Sequence, residues 1–199
     1  MSFGSPYDSF DDPYCYPGTS VLKNKLDLHD YAELEAFEHE SASAKGDDSL
    51  PSGVFDPVHY RAIHRHLFGE VYDWAGEYRT VRTSKGGDMF CYPEYIAEQM
   101  ELLFASLDNG PFAGSGSRED FIAAAATFLA DLNAIHPFRE GNGRTQLTFL
   151  FLLGERASFE LEMARIRPEA MLAAMVESFH GRLAALREEI GWICGGGAE

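Results

Sequence analysis

The chain has 199 residues, 45% of them hydrophobic and 15 of them phenylalanine, which suits one folded domain and excludes a disordered chain. A net charge of −16 argues against nucleic acid as a partner, since such a surface repels phosphate. No apolar run of ~20 residues could span a bilayer and no charged-then-apolar leader opens the chain. The expectation is a cytoplasmic protein without a membrane partner; delivery to another cell by a specialised secretion system would leave no such mark.

In chain order, residues 1–20 are rich in Asp, Tyr, Pro, Gly and Ser and read as an irregular N-terminal arm. From residue 21 to about 44, Leu22, Leu26, Leu34 and Phe37 fall at helical spacing and predict a helix. Residues 45–49 read as a loop. Asp56-Pro57 then starts a second helix, with proline in its first turn and Tyr60, Ile63, Leu67 and Val71 along one side. Residues 80–83 and 89–91 flank Ser84-Lys85-Gly86-Gly87-Asp88 and predict a short β-hairpin with a glycine turn. A helix from Pro93 through Leu107 follows, then loops at Asn109-Gly110-Pro111 and Gly114-Ser115-Gly116.

Ser117, with Asp120 three residues on, caps a helix bearing Phe121, Ala125, Phe128, Leu132 and Ile135. Pro137 disfavours helical geometry at His136, so that helix stops there. Another resumes near Asn142 and is apolar nearly all round through Leu153, which predicts a buried central helix. Helices at about 168–179 and 181–193 finish the domain, and residues 194–199 read as a flexible tail. Cys15, Cys91 and Cys194, an odd set without metal-ligand spacing, read as reduced thiols. His64-x-His66 does not make a metal site, because residues two apart face different sides of a helix.

The run His136-Pro137-Phe138-Arg139-Glu140-Gly141-Asn142-Gly143-Arg144 carries the chemistry. A glycine-rich loop entering a helix N-terminus aims backbone N–H groups and partial positive charge at one spot, which suits phosphate. Arg144 adds a full charge, Glu140 can hold a divalent cation by oxygen, and His136 can accept a proton. Phe138 reads as the core anchor of the loop and Pro137 as its shaper. Arg139 receives no role.

This run resembles the signature of Fic proteins, His-x-Phe-x-[Asp/Glu]-Gly-Asn-Gly-Arg-x-x-Arg, at every fixed position up to Arg144. The last arginine is replaced by Leu147. Weaker likeness extends from Tyr16-Pro17-Gly18 through Trp74-Ala75-Gly76-Glu77-Tyr78-Arg79 to the C-terminal helices. The resemblance implies an all-α, single Fic-like helical domain over residues 21–193, with a buried central helix and one short β-hairpin, the flap.

It further implies transfer of AMP from ATP to a target Tyr, Ser or Thr hydroxyl. His136 would be the base, Glu140 the Mg²⁺ ligand, and Gly141, Asn142, Gly143 and Arg144 the nucleotide cradle. Lys85 and Gly86 of the flap would touch the nucleotide, and the flap would dock the target by adding a strand. In the Doc branch, which phosphorylates, position 143 carries Lys; Gly143 resembles the AMP-transferring branch.

A Fic-type transferase using another nucleotide or removing AMP remains open. So does a nucleotide-binding interaction module that has lost efficient chemistry, for which Leu147 is the support. Many Fic proteins are restrained by a helix bearing [Ser/Thr]-x-x-x-Glu-[Gly/Asn], internal or on a small antitoxin. Here Ser115…Glu119 is followed by Asp120 and Ser158…Glu162 by Met163, so neither completes it. A separate antitoxin partner is therefore one expectation and the absence of such control the other.

Overall fold

A computed structural model describes residues 12–46 and 48–195. These contain seven α-helices and one two-stranded antiparallel hairpin, so the all-α class with a single hairpin holds. The expected arm and tail fall partly on residues 1–11 and 196–199, outside the described residues. The chain divides into two compact units.

The first unit comprises the residues up to Glu98 together with His136–Thr145. Its helices are α1 (Tyr31–Gly46) and α2 (Pro57–Phe68), which pack together, and it holds β1 (Ser84–Lys85) and β2 (Asp88–Met89). The helix predicted from residue 21 begins ten residues later. Asn24 explains the delay: its side chain accepts from the Leu26 and Leu28 N–H groups and donates to the Leu22 and Leu28 carbonyls. That local bonding competes with a helix. Asp30 then caps α1 by accepting from the Ala32 and Glu33 N–H groups.

In α2, Asp56 accepts from His59 N–H at 2.7 Å and Pro57 sits in the first turn, as the sequence predicts. Tyr60, Ile63, Leu67 and Phe68 are buried, with Val71, Tyr72 and Ala75 just beyond. The hairpin exists, but its pairs are Ser84↔Met89 and Lys85↔Asp88, and of these Ser84, Lys85 and Asp88 were expected inside the turn. Gly86 and Gly87 both take left-handed φ, 62° and 91°, which closes a two-residue turn and draws their neighbours into the ladder.

The second unit comprises Gln99–Ile135 and the residues from Gln146 onward. Helix α3 (Pro93–Phe104) enters it and is followed by α4 (Arg118–Ile135), α5 (Asn142–Arg156), α6 (Pro168–Phe179) and α7 (Ala184–Ile193). Helices α4, α6 and α7 pack on one another. Phenylalanine fills this core: the Phe104 ring meets Phe128 and Phe149 at 5.3 Å each, and Phe112 meets Phe121 at 5.9 Å. Such edge-on and tilted pairs add about 0.5–1.5 kcal/mol each beyond their buried area. The Ser117–Asp120 capping box is present, with Ser117 Oγ accepting from Asp120 N–H and Asp120 Oδ2 from Ser117 N–H.

Candidate active site

Helix α4 ends at Ile135, as the proline two residues on requires. His136 adopts φ 48°, a left-handed conformation that costs a side-chain-bearing residue about 1–2 kcal/mol. The conformation is held from outside. The His136 carbonyl accepts from Arg79 Nε at 2.8 Å, and the Pro137 carbonyl from Arg79 N–H at 2.9 Å. The imidazole lies flat on the Phe90 ring, 3.8 Å between centroids and 8° between planes, so the hairpin's outgoing limb braces it.

Phe138 anchors the loop. It is buried between Tyr60, 5.5 Å away, and His64, 3.8 Å away. Four residues on, Asn142 bonds its backbone twice: Phe138 N–H donates to Oδ1 at 3.0 Å and Nδ2 donates to the Phe138 carbonyl at 2.8 Å. The side chain of Asn142 therefore shapes the turn. Gly141 has φ 80°, and a Cβ there would lie 2.5 Å from the Phe68 ring, so no larger residue fits. At Gly143 a Cβ would meet nothing within 4 Å, which leaves open space above the first turn of α5. The first N–H groups of that helix have no partner within it.

Glu140 is half-buried, and its Oε1 accepts from Gly141 N–H at 2.8 Å. Its carbonyl accepts from His64 Nε2 at 2.9 Å, while His64 Nδ1 accepts from Gly76 N–H at 2.8 Å. A backbone N–H can only donate, so His64 is the neutral tautomer with its proton on Nε2. Burial lowers its pKa to about 3. Arg144 lies over the Phe68 ring, 4.6 Å from its centroid, and pairs with Glu38 Oε2 at 2.9 Å. Tyr72 donates its hydroxyl to the other Glu38 oxygen. Burial first, and then the charge of Glu140, pushes the Glu38 pKa up, against the pull of Arg144 and Tyr72.

One short segment thus carries His136, Glu140, Gly141, Asn142, Gly143 and Arg144, while Lys85 and Gly86 stand at the exposed hairpin tip. Glu38, Tyr72, His64 and Arg79 are the site residues not predicted from sequence; each arrives by a long-range contact without a local signal. Arg139, to which the sequence gives no role in the chemistry, is held structurally. It is buried and its Nε bonds Asp12 Oδ2 at 2.6 Å, the Asp12 side chain being 4% exposed. His64 and His66 diverge as expected, His66 Nε2 bonding the Lys45 carbonyl at 2.8 Å.

Among the described residues no cluster of three His, Cys, Asp or Glu could cage a metal ion. Mg²⁺ does not require one, because it keeps waters and takes one or two carboxylates together with substrate phosphates. Glu140, a single carboxylate beside an anion-suited loop, fits that donor set.

A helical fold bearing a histidine, a carboxylate, an arginine and a helix N-terminus on one glycine loop has the parts for transfer chemistry on a phosphorylated ligand. The chain belongs to the Fic/DOC family, which residues 54–153 match. It is 49% identical over 185 residues to a Sinorhizobium fredii protein described as "probable protein adenylyltransferase y4lH", covering 92% of this chain and 96% of that one. It is 35% identical over 179 residues to the protein adenylyltransferase VbhT of Bartonella schoenbuchensis, covering 88% of this chain and 37% of VbhT. The crystal structure of the VirB-translocated effector BepC from Bartonella tribocorum, with bound AMPPNP, superposes with a TM-score of 0.81. That pair shares 25% identity over 90% of this chain and 95% of BepC.

Proposed function

We propose that the chain is an ATP-dependent protein adenylyltransferase that places AMP on a hydroxyl side chain of a target protein. The observation that carries it is the complete loop from His136 to Arg144, in a chain alike along nearly its whole length to a protein described as an adenylyltransferase. His136 takes the proton from a target Tyr, Ser or Thr hydroxyl. The hydroxyl oxygen bonds the α-phosphorus, and the bond to pyrophosphate breaks. The Gly141–Asn142–Gly143 turn shapes the phosphate cradle, the N–H groups of Asn142, Gly143 and the first turn of α5 receive the phosphates, and Arg144 adds charge toward the β-phosphate. Glu140 would hold Mg²⁺, which neutralises charge on phosphate oxygens when bound. Lys85 and Gly86, at the hairpin tip, approach the nucleotide, and the hairpin pairs with an extended target segment. A small antitoxin carrying the inhibitory helix belongs to the same proposal.

Incubation of the protein and Mg²⁺ with a cell lysate and ATP labelled at either the α or the γ phosphate tests this. Protein-bound label from α-labelled ATP alone is expected. Label from the γ position would replace the reading with phosphorylation, and label from neither with a nucleotide-binding module.

Leu147 gives a further expectation. On α5 it lies three residues after Arg144, hence on the same helix face, where the family signature has a second arginine. Leu147→Arg should tighten ATP binding by about 1–3 kcal/mol through a charge-assisted bond. Titration of ATP into both proteins with Mg²⁺ present checks it; equal affinities would make Leu147 a packing residue.

A further inference from the structure

We propose that Arg79 is a positioning residue that ties the hairpin to the conformation of His136, so that target docking and the base are set by one guanidinium. The proposal rests on the adenylyl-transfer reading for its reaction. Its geometry stands independently.

Arg79 is 2% exposed. Beyond Nε on the His136 carbonyl, Nη1 donates to the Val81 carbonyl at 2.7 Å and Nη2 to the Cys91 carbonyl at 2.5 Å. Val81 and Cys91 lie on the two limbs of the hairpin, outside the Ser84–Met89 ladder. Phe90, adjacent to Cys91, donates its N–H to the Thr83 carbonyl at 3.2 Å and carries the ring on which His136 rests. One planar fork therefore fixes the spacing of both hairpin limbs and the carbonyl of the strained residue that must present its ring. The backbone N–H of Arg79 holds the next peptide through the Pro137 carbonyl.

The three carbonyls are met by three different nitrogens of one planar fork, a geometry that an ammonium, with its three donors on one nitrogen, does not reproduce. If a target segment adds to the hairpin, any change in limb spacing reaches His136 through this fork. A misplaced base then slows transfer, because a shift of about 1 Å in a reacting group costs about 10²-fold.

The test compares wild type with Arg79→Lys. The imidazole Cε1–H resonance of His136 is assigned by its loss in His136→Ala and displaced upfield by the Phe90 ring. In Arg79→Lys that displacement should shrink. Transfer of α-label to lysate proteins should fall about 100-fold, while Mg²⁺-ATP affinity by titration stays within about threefold.

An unmoved resonance, or ATP affinity and transfer falling in parallel with the melting temperature, would overturn the proposal. If Arg79→Lys does not fold, Phe90→Leu decides. It should show the same split between transfer and ATP affinity, and parallel loss or no loss would overturn the proposal. Absence of α-label transfer by wild type would sink the adenylyl-transfer reading alone, since the resonance reports the contact without turnover.

Discussion

His136→Ala is expected to leave the chain folded and able to bind ATP while transfer of AMP falls about 10²–10⁴-fold, the usual loss when general-base help is removed. The separation has a structural basis. The loop proposed to cradle the nucleotide is shaped by Phe138 beneath it, by the two Asn142 bonds and by the Phe68 wall against Gly141, none of which involves the imidazole. The imidazole stacks on Phe90, on the hairpin side. Alanine keeps the main-chain carbonyl that Arg79 holds, so the loop retains its anchor. The measurement is α-label transfer at saturating ATP beside an ATP titration. Transfer near the wild-type rate would remove His136 from the mechanism. Lost ATP binding would make it part of the cradle.

Arg139→Met is expected to cost about 3–5 kcal/mol of stability, because it leaves Asp12 as a buried charge. For a chain of this size that corresponds to a fall in melting temperature of about 6–20 °C. The pair joins Asp12 to the loop of the candidate site across 127 positions, one residue before Glu140. Thermal unfolding checks the value. A loss below about 1 kcal/mol would show that Asp12 escapes to water in the variant, and that this strut is dispensable.

What the sequence disclosed depended on how far apart the interacting groups lie. The starts of α2, α4 and α5, the stop before Pro137 and the anchoring of Phe138 follow from caps, prolines and spacing within a few residues, and all were legible. The hairpin was legible through its glycines but not its register, since that depended on both Gly86 and Gly87 taking left-handed φ. The beginning of α1 was misread because Leu22 and Leu26 carry helical spacing while Asn24 ties the backbone between them into a loop. Arg144 meets Glu38 across 106 positions, and Arg79 meets His136 across 57. No local pattern reports such pairs. Arg139 shows the same limit, since a charged side chain in a polar loop reads as solvated until its partner is known.

Arg144 carries one more implication. An arginine on an open surface samples many rotamers, and fixing it on a ligand costs about 1.5–2 kcal/mol of conformational entropy. Here the guanidinium already lies on Phe68 and against Glu38, whose other oxygen takes the Tyr72 hydroxyl. Folding has selected its rotamer before any anion arrives. The carboxylate that does so also repels a phosphate, as does Glu140, whose charge reaches Glu38. In the nucleotide-binding reading proposed above, affinity would reflect a preorganised cation offset by Glu38, and discrimination between triphosphate and diphosphate would depend on how much of the guanidinium Glu38 releases.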